Sequence, residues 1–315
     1  MKIFIAGAGV FGTAMANVIA NRHDILLYSR SEDIVADINN NRQNSIYYPN
    51  KTLSKKIKAT NDLAKITEAD ILFLCIPSYA VVDFVAKAPI APHTLIVNGA
   101  KGFAKDTQLI FQAIEEMIPN RVVSLKGPSF ARELIYEMPT AFTLASREPG
   151  DLNTIASLFR KNIITLDYSD NILGIELISI VKNVYAITIG IVDAMYNSAN
   201  VRFMVFTKAI KEIKNILAAF DCNADLLFQY AGVGDFGLTS LNDLSRNRTL
   251  GLLIGKGFLN AELGNSVTLE GVKAIDKILS LLATKNNVQI PMMEYLNQLL
   301  KSALTAKDFV NRVLQ

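Results

Sequence analysis

Lys2-Ile-Phe-Ile-Ala6-Gly7-Ala8-Gly9-Val10-Phe11-Gly12, followed by Thr13–Ala20, is the stretch on which the fold turns. Its first five residues are a short apolar run suited to a buried strand, and Thr13–Ala20 is helix-like. Between them lies G-x-G-x-x-G in the context it needs, a strand before and a helix after. Gly7 permits the tight turn, Gly9 lets the backbone approach a pyrophosphate, and Gly12 lets the helix pack closely on the strand. The helix N-terminus offers N–H groups and a positive dipole end to phosphates. Alone, the motif also reads as a ligand-free glycine-rich turn. The next run, Asp24-Ile-Leu-Leu-Tyr28, reads as a second strand and argues for the dinucleotide site. A site specific for NAD usually carries Asp or Glu at this strand end. Here Ser29 and Arg30 stand there, so a 2′-phosphate is tolerated, although Arg30 alone also reads as a solvated loop arginine. Glu32 and Asp33 suit the first turn of a helix.

Outward from this unit, Ile57–Thr60, Asp70–Ile76, Thr94–Asn98, Arg121–Leu125, Pro139–Ser146 and Asn162–Tyr168 read as further strands, with a crossover helix at Ala80–Lys87. This alternation predicts an α/β, doubly wound, mostly parallel sheet. After Ser169 the strand signals stop and the pattern is helical. The expected division is residues 1–169, a dinucleotide-binding domain, and residues 170–315, an all-α domain. Two strand ends carry polar residues where such sheets bind ligands. One is Gly99-Ala-Lys101-Gly102; the other is Lys126-Gly127-Pro-Ser129-Phe-Ala131-Arg132, where Pro128 and Ser129 suit a helix start. Each also reads as a plain turn.

Asn171–Asn197 reads as a helix that is apolar on every face, into which Glu176, Lys182, Asn183 and Asp193 are set. A lysine in a dry neighbourhood must find a partner or lose its charge. Snorkelling to the surface fits poorly with its mid-helix position. The run is long enough to cross a membrane, but its four polar residues argue against a span. Further on, Gly232-Val-Gly234-Asp235-Phe-Gly237 precedes Asn242-Asp-Leu-Ser245-Arg246-Asn247-Arg248. Asp235 could orient a lysine or bind a hydroxyl. Ser245, Arg246 and Asn247 could hold a phosphate, with arginine giving paired charge-assisted bonds. A solvated loop with a helix cap at Asp243 or Ser245 is the plain alternative, and Val267-Thr268-Leu-Glu270-Gly271 is equally open to a capping reading.

The chain has 315 residues, half of them hydrophobic, and a net charge of +3 from 32 basic and 29 acidic residues. That is an ordinary soluble composition with no case for nucleic acid as a partner. Cys75 and Cys222 sit among apolar residues and read as buried reduced thiols. No metal is called for. Because Lys2–Ala6 already reads as a strand, no signal peptide is expected and the expected compartment is the cytoplasm.

Taken together, these residues resemble the bacterial type of NAD(P)-dependent glycerol-3-phosphate dehydrogenase over nearly the whole chain. The carriers are Gly7–Gly12 with Thr13-Ala14, Tyr48-Pro49, Ala59-Thr-Asn-Asp-Leu63, Lys101-Gly102, Gly127-Pro-Ser-Phe-Ala131 and Pro139-Thr-Ala141. In the helical part they are Gly174-Ile-Glu-Leu177, Val181-Lys-Asn-Val184, Gly234-Asp235, Ser245-Arg-Asn-Arg248 and Glu270-Gly271. The resemblance implies an N-terminal Rossmann domain followed by an all-α domain. It implies NAD or NADP as cofactor, a small phosphorylated substrate, and Lys182 as the proton acceptor. Lys101, Gly127, Ser129, Asp235, Ser245, Arg246 and Asn247 match substrate positions. Val10, Phe11, Arg30, Lys101, Ala131, Arg246, Thr268 and Glu270 match cofactor positions. The chain departs from the pattern at Ile178–Val181, where small residues are usual, at Tyr196–Arg202, where a glycine-rich segment is usual, and at Ser240, in place of a cysteine. A related β-hydroxy-acid dehydrogenase and a non-catalytic nucleotide-binding protein are the rival readings. The apolar helical part allows a homodimer.

Overall fold

A computed structural model describes residues 1–105, 107–258, 270–285 and 288–315. The chain forms two compact units, Met1–Ile172 and Leu173–Gln315.

The first unit is built on one sheet of eight strands: β1 (Ile3–Ala6), β2 (Ile25–Tyr28), β3 (Ile57–Thr60), β4 (Ile71–Leu74), β5 (Leu95–Asn98), β6 (Val122–Lys126), β7 (Thr140–Ala145) and β8 (Ile164–Ser169). Their order is 3-2-1-4-5-6-7-8. Every pair is parallel except β6–β7, so β7 and β8 run against the first six. Helices α1 (Val10–Ile19), α2 (Glu32–Asn41), α3 (Ser78–Lys87), α4 (Ile110–Met117), α5 (Ala131–Ile135) and α6 (Pro149–Leu158) complete this unit. All four residues of β1, β4 and β5 are buried, as expected for strands of a mostly parallel sheet covered on both faces. Ile5, Met15, Val18, Leu27, Phe73, Val97, Val123 and Phe142 belong to its core cluster. Each such side chain contributes about 1.5–3 kcal/mol when taken from water. Strand order reverses direction between β1 and β4, and the carboxyl ends there form the usual ligand crevice of such sheets.

The second unit contains α7 (Ile172–Tyr196), α8 (Ala199–Ala219), α9 (Asp235–Leu241), α10 (Arg246–Gly255), α11 (Glu270–Leu282), α12 (Pro291–Leu300) and α13 (Ala306–Leu314). Helix α7 is long and apolar enough to cross a membrane, yet its apolar window is wholly buried in the protein. It packs backbone to backbone on α10. A Cβ on Gly190 would lie 2.3 Å from the Arg248 carbonyl oxygen, and one on Gly251 would lie 2.1 Å from that of Ile187. Only glycine fits at such a crossing.

One local expectation is corrected, and one plain alternative falls away. Pro128 and Ser129 do not start a helix: α5 begins at Ala131, after Phe130 in extended conformation. Gly232–Gly237 is not a solvated loop. Tyr230–Gly234 forms a single π-type turn that leads into α9, with Asp235 buried at its first position.

Candidate active site

In the first unit the glycine turn has the shape its sequence implies. Gly7 has φ +109°, a conformation that a side chain disfavours. A Cβ on Gly12 would fall 1.9 Å from the Gly7 carbonyl oxygen, so α1 can approach β1 only because no side chain is there. A Cβ on Gly9 would meet nothing within 4 Å. That open space lies at the N-cap of α1, where no side chain caps the first N–H groups. The cradle therefore fits a dinucleotide pyrophosphate. Val10 is exposed, and Phe11 packs edge-on to Phe142 with centroids 6.4 Å apart. Arg30 is exposed just beyond β2, while Ser31 caps α2 by accepting from the Ile34 N–H.

Two residues missed as site builders hold this turn in place. The Asn44 side chain donates to the Ala8 carbonyl at 3.0 Å and to the Thr13 hydroxyl at 2.9 Å. The Tyr48 hydroxyl reaches the Val10 carbonyl at 2.8 Å and the Ala131 carbonyl at 3.1 Å. Tyr48-Pro49 had signalled a family likeness without indicating this task. Burial pushes the Tyr48 phenol well above its ordinary range, so it stays a neutral donor.

At the neighbouring strand ends, the Lys101 ammonium donates to the Gly127 carbonyl at 3.3 Å, and the Ser129 hydroxyl donates to the same oxygen at 3.1 Å. Lys101, Gly127 and Ser129 are thus brought together, and Ala131 follows as the first residue of α5. Burial pushes the nearby Cys75 thiol up to about 12, which leaves it an inert thiol.

The second unit buries the central lysine with a carboxylate. Lys182 and Asp235 are each 2% exposed, and Nζ lies 3.1 Å from Oδ1. The same ammonium donates to the Thr239 hydroxyl at 2.7 Å and to Asn183 Oδ1 at 3.3 Å. Asp235 and Thr239 are one turn apart on α9, so one helix face supplies both partners. Asp235 also sits where the helix dipole favours negative charge. Thr239 was another omission from the sequence reading. Its only sequence signal is the spacing of four from Asp235.

The crossing of α7 and α10 brings the start of α10 alongside the residue after Lys182. A Cβ on Gly271 would lie 2.8 Å from Asn247 Oδ1 and 3.0 Å from the Asn183 carbonyl oxygen. Asn247 Oδ1 is buried and has no hydrogen-bond partner among the described residues. Ser245 is the N-cap of α10, its hydroxyl accepting from the Arg248 N–H at 3.3 Å. Arg246 is exposed, whereas Arg248 turns inward to Asp193 at 2.7 Å and also pairs with Asp243. Arg202 binds Asp193 from α8, at 2.8 and 2.7 Å, so the arginine of the unusual Tyr196–Arg202 segment ties α8 to α7. Thr268 and the Glu270 side chain lie outside the described residues. A cavity of about 600 Å³ opens at the opposite end of the sheet, lined by Lys2, Phe4, Leu26 and Lys56 among others, and none of these site residues lines it.

The chain matches family models over most of its length. Residues 2–151 match the N-terminal part, and residues 171–311 the C-terminal part, of NAD-dependent glycerol-3-phosphate dehydrogenase. It is 32% identical over 320 residues to the glycerol-3-phosphate dehydrogenase [NAD(P)+] of Citrifermentans bemidjiense, covering 98% of this chain and 95% of that one. The enzyme of the same name from Methanothermobacter thermautotrophicus is 32% identical over 322 residues, covering 99% and 98%. The crystal structure of glycerol-3-phosphate dehydrogenase from Coxiella burnetii superposes with a TM-score of 0.90 at 28% identity, covering all of this chain and 98% of that one. With the glycine cradle in one unit and the buried lysine–carboxylate pair in the other, these matches show that the chain belongs to the NAD-dependent glycerol-3-phosphate dehydrogenase family.

Proposed function

We propose that the chain interconverts sn-glycerol 3-phosphate and dihydroxyacetone phosphate with NAD or NADP. The observation that carries this reading is the buried Lys182 ammonium held by Asp235 and Thr239. When bound, the nicotinamide supplies or accepts the hydride at C2. Lys182 gives a proton to the C2 oxygen in the reducing direction and takes it back in the oxidising one. Asp235 and Thr239 keep Nζ aimed, so little reorganisation remains for the reaction itself. Arg246 and the N–H groups at the start of α10 hold the phosphate. A substrate hydroxyl donates to Asn247 Oδ1, which is buried without a partner among the described residues. Lys101, with Gly127 and Ser129, adds a positive charge and backbone groups to the substrate. Gly7, Gly9, Val10, Phe11 and Gly12 cradle the pyrophosphate, and Arg30 reads the adenosine ribose. Supply of the glycerophosphate backbone for phospholipids, a cytoplasmic location and a homodimer complete the proposal.

The test is NADPH and NADH oxidation by the full chain with dihydroxyacetone phosphate, set beside NAD(P) reduction with a β-hydroxy acid. Oxidation that depends on dihydroxyacetone phosphate is expected. Turnover with the β-hydroxy acid alone would assign the chain to that rival chemistry. Cofactor binding without turnover of either would mark a non-catalytic nucleotide-binding protein.

A further inference from the structure

A second lysine is buried beside Lys101. Lys126 closes β6 and is 1% exposed. Its ammonium donates to the Asn98 carbonyl at 2.9 Å and to the Ala100 carbonyl at 2.7 Å. Strand register explains the reach. Asn98 pairs with Ser124 in the parallel ladder, so Lys126, two residues on, is level with Ala100. Asn98 is fully buried, and its Oδ1 accepts from the Ala100 N–H at 3.0 Å. Lys101 comes next and reaches back to the Gly127 carbonyl at 3.3 Å. The ends of β5 and β6 are therefore tied twice, by lysines that cross in opposite directions.

A buried ammonium is costly, and an apolar side chain of similar length would fill the same volume at less expense. What an apolar side chain cannot do is hold two carbonyls of the segment from which Lys101 starts. The charge also acts on the end of β4, where it pulls the Cys75 thiol downward against the larger effect of burial.

We propose that Lys126 is a positioning residue for Lys101. By holding the Asn98 and Ala100 carbonyls it fixes the backbone of residues 98–101, and with it the place at which the Lys101 ammonium meets the substrate. The inference rests on the reading of Lys101 as a substrate contact.

A double-mutant cycle on the full chain, with kcat/KM for dihydroxyacetone phosphate as the readout, tests both. Lys126→Met is expected to lower kcat/KM by about tenfold to a hundredfold, the range of one charge-assisted contact. In a Lys101→Met background the same change should cost little more, because the side chain it positions is gone. A purely structural lysine would give equal losses in both backgrounds, and that additivity would overturn the inference while leaving Lys101 in its role. Wild-type kcat/KM in Lys126→Met would overturn it as well. Wild-type kcat/KM in Lys101→Met would remove the underlying reading and the inference with it. If Lys126→Met does not fold, Lys126→Gln, which keeps one donor, carries the cycle, and failure of both to fold assigns Lys126 to stability alone.

Discussion

At the scale of single residues, a buried ion pair makes each partner expensive to remove. Taking away one member leaves an uncompensated buried charge at a cost of about 3–5 kcal/mol. Lys182→Met keeps the side-chain length and removes the amine. We expect kcat to fall by about two to four orders of magnitude with cofactor affinity nearly unchanged. The same variant should be less stable because Asp235 is stranded, so rates belong below its lowered thermal midpoint. Near-normal turnover would remove Lys182 from the chemistry. Arg30 is a different case, since it is exposed and a contact there is weakened by water. Arg30→Ala should raise KM for NADPH by about tenfold, and more than it raises KM for NADH. Glu32, the feature most able to reverse this preference, is exposed in the first turn of α2, where it complements the helix dipole. Equal losses for both cofactors would mean that Arg30 stacks on the adenine and does not read a phosphate.

At the scale of elements, the unexpected device is the start of α12. Its N-cap position is Ile290, which has no side-chain acceptor, and Pro291 follows. The cap comes from α8 instead. Buried Glu212 accepts from the Met292 N–H at 2.7 Å and the Met293 N–H at 3.4 Å, and from the Tyr185 hydroxyl of α7 at 2.8 Å. One carboxyl thus joins three helices. Burial raises the Glu212 carboxyl above its ordinary value of 4.5, although these donors pull it down. A folded-state value above the unfolded one means that the fold favours the protonated form. Its contribution to stability is complete below the ordinary value and declines as pH rises through the folded one. Glu212→Gln has no charge to bury and lacks this decline, though it mismatches one donor at about 1 kcal/mol at every pH. The thermal midpoint of wild type relative to Glu212→Gln should therefore fall as pH rises above the ordinary carboxyl value of 4.5. Thermal melts of both proteins across that range check it. A constant difference would show that Glu212 does not titrate there.

At the scale of the whole molecule, the cofactor should act as a stabiliser by mass action. A ligand that binds only the folded state, present at about a hundred times its Kd, adds about 2.7 kcal/mol. For a unit of this size that is a rise in thermal midpoint on the order of 5–10 °C. NADPH should produce it, Arg30→Ala should reduce it, and Gly12→Ala should abolish it, because a Cβ there collides with the Gly7 carbonyl. Melts of the three proteins with and without NADPH decide the matter. A Gly12→Ala protein with an unaltered shift would remove the glycine turn from cofactor binding.

What depends on local sterics and periodicity was legible along the chain. The run Lys2–Ala6, the glycines at 7, 9 and 12 and the apolar Thr13–Ala20 impose strand, turn and helix on their own neighbours, and repeated alternation imposes a sheet. The all-apolar surface of 171–197 likewise demands burial wherever it lies. Tertiary structure decided the relations between residues remote along the chain. It set β7 and β8 against the other six strands, since an apolar run of this length pairs in either direction. It paired Lys182 with Asp235 and Thr239, gave Asn44 and Tyr48 the glycine turn to hold, brought Glu212 to a helix that has no cap of its own, and crossed Lys126 with Lys101. A hydrogen bond needs its partners within about 3 Å. Periodicity shows which face a side chain occupies, and only packing settles what that face meets.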